Sequence, residues 1–282
     1  MLKGIILAGG KGRRLGPTTL AVNKQLLMLY DKPIIFYPLS ILLKLKIKDI
    51  LIIINSNQKT NFKKILGNGS HLGIKITYKV QKKPNGIPQA FTLGEKFIRN
   101  NKVCLILGDN FFYNLKLDLK KILKKSYNTI LLKKVKNPEQ YGIVKIVKNK
   151  IEKIIEKPKK KLTNIAIMGI YFFDENVSKY AKTLKPSRRK ETEIVDLIKM
   201  YLSKSRLNYQ FIKKSIWSDV GTIADYNKIS NFIKIKEKAT KIKIACLEEI
   251  SLKNKWITKK QIKKNINFYG DCEYSNYLKK IL

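Results

Sequence analysis

Histidine is nearly missing from this chain: His71 is the single one in 282 residues, and 20 acidic side chains face 60 Lys and Arg. A chain with one histidine carries no H-E-x-x-H metal site, and no G-x-S-x-G nucleophile motif is present either, which excludes the familiar acyl-transfer and metal-hydrolase machinery. His71 lies in a glycine-flanked segment and is read as structural or solvent-facing. Cysteine is also scarce. Cys104, Cys246 and Cys272 are scattered without metal-ligand spacing, as expected of reduced thiols. No run of 18 apolar residues occurs, so no transmembrane helix is expected. The first strand begins almost at once, leaving no signal peptide before it, and the expected location is cytoplasmic. The formal charge of +40 is carried by lysines spread along the whole chain, including helix faces such as Lys120 to Lys125, without a basic arm or a recognisable nucleic-acid module. Lys, Ile and Asn are all abundant, a composition bias, so neither a nucleic-acid nor a membrane partner is expected. The field should still attract anionic substrates, with strong salt dependence.

What the chain does have is a glycine turn at its beginning. Ile5 to Leu7 reads as a buried strand, followed by Ala8-Gly9-Gly10-Lys11-Gly12. Without a Cβ the backbone can turn sharply and bring its N–H groups to a ligand, forming a concave phosphate site. Arg13 and Arg14 follow, and Lys24 stands one short segment on. Two better-known motifs are excluded. A dinucleotide fingerprint needs G-x-G-x-x-G, and Gly10-x-Gly12-x-x ends on Leu15, although Asp31 stands where its acidic partner could be. A P-loop needs Lys and Ser/Thr after its last glycine, and Gly10-Lys11 follows Gly9 instead.

Further along, Asp31-Lys32-Pro33 suggests a helix start with Asp as cap, leading into the apolar stretch Ile34 to Leu45, which Pro38 would kink. Asp49 to Ile54 is a strand buried on both faces. Thr60 to Leu66 reads as a helix, Ile74 to Val80 as a strand ending at Gln81, Ile87 to Asn100 as a helix, and Val103 to Leu107 as a strand ending at Gly108-Asp109-Asn110. This order predicts an α/β fold, a Rossmann-like doubly wound and mostly parallel sheet with right-handed crossovers. The second half continues with a helix (Asp118 to Lys125), a strand (Thr129 to Val135) and a hairpin from Ile143 to Ile155. A solvated connector to Lys161 follows. Next come a strand from Asn164 to Phe173, helices over Glu175 to Leu184 and Glu193 to Ser203, a strand from Leu207 to Ile212 and a helix from Ala224 onward. Gly169 marks a point in its strand where a ligand or backbone comes close. The tail from Ile242 reads as helical. The expected organisation is a core over 1–240, with a nucleotide half about 1–110 and a second half about 111–240. A small C-terminal helical appendage spans 241–282.

In open sheets of this kind ligands sit beyond the carboxyl ends of the strands. The glycine loop, Gln81 and Asp109 all fall there, which points to one site. Arg14 and Lys24 are candidates for neutralising phosphate, Arg as a two-pronged donor and Lys as a point charge. Asp109 and Asp219 are candidates for Mg²⁺, which favours carboxylate plus phosphate oxygens, although each also suits a turn or helix cap.

The segments Leu7-Ala8-Gly9-Gly10-x-Gly12-x-Arg14-Leu15 and Lys24-Gln25-Leu26-Leu27 resemble those of sugar-phosphate nucleotidylyltransferases, and within them the glucose-1-phosphate thymidylyltransferases, over nearly the whole chain. The resemblance implies the nucleotide-diphospho-sugar transferase fold and Mg²⁺-dependent transfer from dTTP to α-D-glucose 1-phosphate. The product, dTDP-glucose, would serve deoxysugar (such as dTDP-rhamnose) and surface-polysaccharide synthesis. Leu7, Gly9, Gly10, Gly12, Arg14, Gln81, Gly86 and Asp109 match nucleotide-binding positions, Gln81 and the Gly86 backbone reading the base. Asn110, Tyr141, Gly142, Glu156, Lys157 and Ile167 match sugar-binding positions, with Lys157 on the sugar phosphate; Asp109 and Asp219 match the metal aspartates. Arg14, Lys24 and Lys157 take the catalytic roles. The segment from Cys246 to Trp256 resembles a C-terminal region that builds an oligomer interface and a regulatory nucleotide site, implying a homotetramer.

Four departures stand out. Trp217-Ser218-Asp219-Val220-Gly221 replaces W-L-D-T-G, Asn23 replaces Ser, Pro88 a small residue, and Met168 Thr. None removes a charged group. A UTP-using uridylyltransferase and a non-catalytic nucleotide-sugar-binding module remain the alternatives.

Overall fold

The computed structural model describes residues 1–10, 12–125, 128–160 and 162–282. Lys11 of the glycine turn and Lys161 of the expected connector lie outside the described residues. The first half of the chain forms β1 (Leu2–Ala8), α1 (Thr18–Ala21), β2 (Met28–Leu29), β3 (Lys32–Pro33), α2 (Phe36–Lys44), β4 (Asp49–Asn55), α3 (Lys59–Leu66), β5 (Lys75–Gln81), α4 (Gln89–Leu93), α5 (Glu95–Ile98) and β6 (Lys102–Leu107). The second half forms β7 (Phe111–Tyr113), α6 (Leu119–Lys125), β8 (Asn128–Lys134), β9 (Gly142–Val147), β10 (Lys150–Glu156), β11 (Ile165–Phe173), α7 (Val177–Thr183), α8 (Ile194–Ser203), β12 (Leu207–Phe211), β13 (Ile216–Ser218) and α9 (Ile223–Thr240). Helices α10 (Leu247–Lys253), α11 (Lys259–Tyr269) and α12 (Glu273–Lys280) follow.

Strands β6, β1, β4 and β5 lie side by side and parallel, in that spatial order. The order of the strands reverses at β1, which opens a crevice at the carboxyl ends of β1 and β6. The sheet is extended beyond β6 by antiparallel β11, which is flanked by the β9–β10 hairpin and by β8, with β12 parallel to β8. Neighbouring residues of the central strands feed opposite faces. Ile6, Ile52 and Ile106 pack on the side of α2 and α3, while Ile5, Leu51 and Leu105 pack on the side of α4, α7 and α8. This is why those strands read as unbroken apolar runs: both faces are covered.

Several local expectations are corrected. Lys32–Pro33 is a strand paired with Met28–Leu29, and α2 starts at Phe36 with Ile35 as its cap residue, so Asp31 caps no helix. Pro38 falls in the first turn of α2, where its missing N–H has no helical partner in any case, so the helix continues through it. The helix expected over Ile87 to Asn100 is two short ones divided at Gly94, where a Cβ would stand 2.9 Å from the Ala90 carbonyl and 3.1 Å from Ile5 Cδ1. Strands β7 and β13 pair with each other and were not legible as strands.

The C-terminal helices dock on the core through α10 against α2, where Asn254 Nδ2 donates to the Leu43 carbonyl at 2.9 Å. A buried ion network of Lys32, Asp31, Glu237 and Lys243 ties the end of α9 to β3. The carboxylate of Glu248 is fully buried and accepts from Tyr269 at 2.8 Å and Tyr274 at 2.6 Å, binding α10, α11 and α12 together.

Candidate active site

The site is assembled from strand ends. After β1 the backbone passes under Gln81 so closely that a Cβ on Gly9 would lie 2.1 Å from Gln81 Oε1. Gly12 adopts a left-handed φ of 63° and caps the turn Arg13–Leu15; Thr19 Oγ1 donates to its carbonyl at 3.0 Å. Gln81, at the end of β5, is buried, and its Nε2 donates to Gln89 Oε1 at 2.6 Å, which also accepts from the Asn85 N–H at 2.9 Å. Gly86 has φ 90° and faces Thr192, whose carbonyl a Cβ would meet at 1.9 Å. Thr192 in turn donates from Oγ1 to the Asn85 carbonyl at 2.6 Å, fastening the segment before α8 to this turn.

At the end of β6 the Gly108 N–H bonds the Leu7 carbonyl at 2.9 Å, so Asp109 projects next to the glycine turn. Asp109 Oδ2 accepts from Lys24 Nζ at 2.6 Å, and its Oδ1 from Asn110 Nδ2 at 3.0 Å. The β7–β13 pair places Trp217 opposite Phe112 and Ser218 opposite Phe111, which delivers Asp219 from the far end of the chain. The Asp219 carbonyl accepts from the same Lys24 Nζ at 3.2 Å, and its Oδ2 lies 3.7 Å from Arg14 Nη2. Burial and then the charge of Asp109 hold the Asp219 carboxyl above the ordinary aspartate range, with Lys24 and Arg14 pulling it back. Asn110 is fully buried and accepts Trp217 Nε1–H on Oδ1 at 2.7 Å. What comes close at Gly169 is this side chain, not backbone or a ligand, since a Cβ there would stand 2.3 Å from Asn110 Oδ1.

Two joined cavities result. One, of about 740 Å³, is lined by Leu7, Gly10, Gly12, Gln81 and Gly86 on one side and by Arg189 and Glu193 on the other. The second, of about 290 Å³, is lined by Arg14, Asn110, Tyr141, Gly142, Ile167 and Asp219. Ile87, Asp109, Glu156, Lys157 and Ile194 line both and form the seam. Of the sequence candidates, Gly9 and Lys24 stand behind these walls. Lys24, expected to face phosphate, is 5% exposed and points at the two aspartates.

At the seam, Lys157 has φ 40°, and its N–H bonds the Tyr141 carbonyl at 3.1 Å, holding the end of β10 to the start of β9. Tyr141 stacks at a tilt on Trp217, 5.0 Å between centroids, and its hydroxyl reaches Asp219 Oδ1 at 3.4 Å. Glu156 is held above the ordinary glutamate range by burial and then by Glu193, with Lys157 and Arg189 opposing. Sequence reasoning missed Arg189, which lies 3.3 Å from Glu156, 3.5 Å from Glu193 and 3.7 Å from Glu191. In the sequence it is one cation of a basic loop, Arg188-Arg189-Lys190, with nothing to single it out. Gln89 was equally undistinguished, and Trp217 entered only as part of the motif around Asp219, with no role of its own, although a buried Trp N–H requires an acceptor.

A family model described as nucleotidyl transferase matches residues 3–236. The chain belongs to this nucleotidyl transferase family. A protein of Neisseria meningitidis named glucose-1-phosphate thymidylyltransferase is 42% identical, over 100% of this chain and 99% of its own length. One of the same name from Mycobacterium tuberculosis is 36% identical over 100% of this chain and 99% of its own length. A crystal structure titled as a glucose-1-phosphate thymidylyltransferase from Bacillus anthracis superimposes with a TM-score of 0.76 at 38% identity, covering 82% of this chain and 95% of that one. A UDP-glucose pyrophosphorylase structure, 21% identical with a TM-score of 0.74, shares the fold. The crevice of this nucleotidyl transferase therefore lies at the switch point of its sheet, and no helix among the described residues is long and apolar enough to cross a membrane.

The carboxylate pair fits a divalent cation. Asp109 and Asp219 supply hard oxygen donors, the charge of Asp109 raising the cost of ionising Asp219; Asp109 borders the cavity of the glycine turn and Asp219 the adjoining one. Among the described residues no group of three or more His, Cys, Asp or Glu could hold a metal. Asp109 and Asp219 are the residues that could hold a Mg²⁺, which favours carboxylate together with phosphate oxygens.

Proposed function

We propose that this nucleotidyl transferase converts dTTP and α-D-glucose 1-phosphate into dTDP-glucose and pyrophosphate. The observation that carries the reading is the pair of cavities meeting at Asp109, Glu156 and Lys157, with the glycine turn and Gln81 in one and Tyr141 and Gly142 in the other. The names of relatives that align end to end supply the choice of substrates. The base stacks in the larger cavity, where Gln81, clamped by Gln89, and the backbone at Gly86 read its edge. The glucosyl moiety occupies the smaller cavity against Glu156, Tyr141, Gly142, Asn110 and Ile167.

The reaction joins two anions, so positioning and charge neutralisation dominate over covalent chemistry. Lys157, held at the seam, orients the sugar phosphate so that its oxygen attacks the α-phosphorus in line with the departing pyrophosphate. Arg14 and the backbone at Gly10 and Gly12 stabilise the triphosphate. Asp109 and Asp219 would hold a Mg²⁺, which would further neutralise the phosphate oxygens. The product enters deoxysugar synthesis, such as that of dTDP-rhamnose, and surface-polysaccharide synthesis in the cytoplasm. The chain over 241–282 serves a homotetramer interface and a regulatory site.

A pyrophosphate-release screen of nucleoside triphosphates against sugar 1-phosphates tests this. The highest kcat/KM is expected for dTTP with glucose 1-phosphate. Thymine exceeds uracil by one methyl, worth about 1 kcal/mol in an apolar pocket, so a several-fold preference over UTP is expected. A maximum with UTP would make the chain a uridylyltransferase, and no release with any pair would make it a binding module.

A further inference from the structure

The assignments above and the contacts in the structure compete for the same atoms. Both oxygens of Asp109 are taken, Oδ2 by Lys24 at 2.6 Å and Oδ1 by Asn110 at 3.0 Å. Both oxygens of Asp219 are taken as well, Oδ2 facing Arg14 at 3.7 Å and Oδ1 accepting from Tyr141 at 3.4 Å. Lys24 Nζ spans the two aspartates, since it also donates to the Asp219 carbonyl at 3.2 Å. Two cations and two carboxylates make a neutral quartet. Its cations are the groups that the sequence nominates for phosphate, and its anions are those assigned to the metal.

We infer that Lys24 and Arg14 hold Asp109 and Asp219 in a closed ion quartet that keeps a divalent cation off the carboxylates until a polyphosphate draws the two side chains away. This rests on the metal assignment made above. Lys24 is 5% exposed, so its ammonium cannot simply swing into water, and an isolated buried charge is costly. The glycine turn lies on its flank, where a Cβ on Gly12 would stand 3.0 Å from Lys24 Cβ, so phosphate bound on that turn offers the ammonium a replacement partner. Metal and nucleotide binding are then coupled through exchange of ion partners: Asp109 passes from ammonium to metal as the ammonium passes from carboxylate to phosphate. Lys24 thereby acts as a positioning residue for the carboxylates as well as a phosphate ligand. It keeps two like charges together, where alone they would repel.

The test is Mn²⁺ binding, read by loss of the free-ion electron paramagnetic resonance signal, with and without the α,β-methylene analogue of dTTP. Wild type without nucleotide should bind Mn²⁺ weakly, and the analogue should tighten it. Lys24→Met removes a unit charge beside the ligand atoms and should tighten Mn²⁺ binding by at least about tenfold in the absence of nucleotide, while shrinking the effect of the analogue. Unchanged or weaker binding by nucleotide-free Lys24→Met overturns the quartet. If thermal melting shows that this variant does not fold, Arg14→Gln carries the test, because that side chain is 61% exposed; about twofold tightening is then expected, and none overturns the proposal. Asp109→Asn separates the two levels: if it leaves Mn²⁺ affinity with the analogue unchanged, the metal assignment itself fails and the quartet with it. If it weakens that affinity while Lys24→Met shows no tightening, the assignment stands and the quartet alone is wrong.

Discussion

At the scale of single residues, the glycines of the crevice are explained by what stands over them. Gly86 is the sharpest case: its φ of 90° disfavours any side chain, and the Thr192 carbonyl 1.9 Å from a Cβ is backbone that cannot step aside. Gly86→Ala should cost roughly 3 kcal/mol of stability, seen as a lowered Tm, and should raise the KM for dTTP. Asp109 and Lys157 should separate kinetically. Asp109→Asn should lower kcat by about 10³-fold, whereas Lys157→Ala should mainly raise the KM for glucose 1-phosphate, by about tenfold or more; similar kcat losses in both would contradict the division of roles. Glu156 offers a pH test. Burial and Glu193 raise its pKa in the folded chain, so the folded state holds that proton more tightly than the unfolded one. Folding is therefore penalised above the raised value, and the penalty disappears below the ordinary glutamate range, where both states are protonated. Glu156→Gln should accordingly be more stable than wild type near neutral pH, with the difference vanishing as pH falls through that window, although its sugar binding is lost. The departures from family pattern also resolve as local chemistry. Asn23 caps the turn Lys24–Leu26 by accepting the Gln25 N–H at 2.8 Å, Ser218 Oγ accepts the Val220 N–H at 3.2 Å, and Met168 and Val220 are core residues. Turn position and charge nominate Arg14, Lys24, Asp109 and Asp219 in the sequence, whereas Glu156 and Lys157 enter only through the family resemblance. Arg189 and Gln89 were not legible: the reach of Arg189 to Glu156 joins segments 33 residues apart, and the clamp of Gln89 on Gln81 depends on how the turn between them folds.

At the scale of elements, the parallel strands were legible because continuous apolar runs between glycine-rich turns have few other readings. The β7–β13 pair was not, because its strands, Phe111–Tyr113 and Ile216–Ser218, are too short to show alternation. Yet this pair carries Asp219 to Asp109 across the sequence. Trp217 is its keystone, with its N–H on the buried Asn110 and its ring on Tyr141. Trp217→Phe keeps most of the volume but leaves Asn110 Oδ1 without that donor, which should cost about 1–3 kcal/mol and lower kcat/KM for the sugar phosphate. A Tm within a degree of wild type would show that the bond contributes nothing. Gly94, where the expected long helix divides, packs against Ile5 of β1, a contact no local pattern reveals.

At the scale of the whole molecule, the sheet reverses direction at β1 and so brings three strand ends, the β7–β13 turn and the hairpin end into one crevice. The excess of cations surrounds that crevice with Lys82, Lys83, Arg13 and Arg189 in its wall. The KM for dTTP should therefore rise with salt between about 0.05 and 0.5 M, a range over which screening shortens the reach of such fields, while kcat changes little. The central claim is that one crevice holds both halves of a nucleotide sugar around Asp109 and Lys157. A crystal structure of the chain with dTDP-glucose tests it most directly. The account expects thymine against Gln81 and Gly86, the diphosphate between Arg14 and Lys157, and glucose against Glu156 and Tyr141; a nucleotide seated outside the two joined cavities, or a glucose turned away from Glu156, would contradict it.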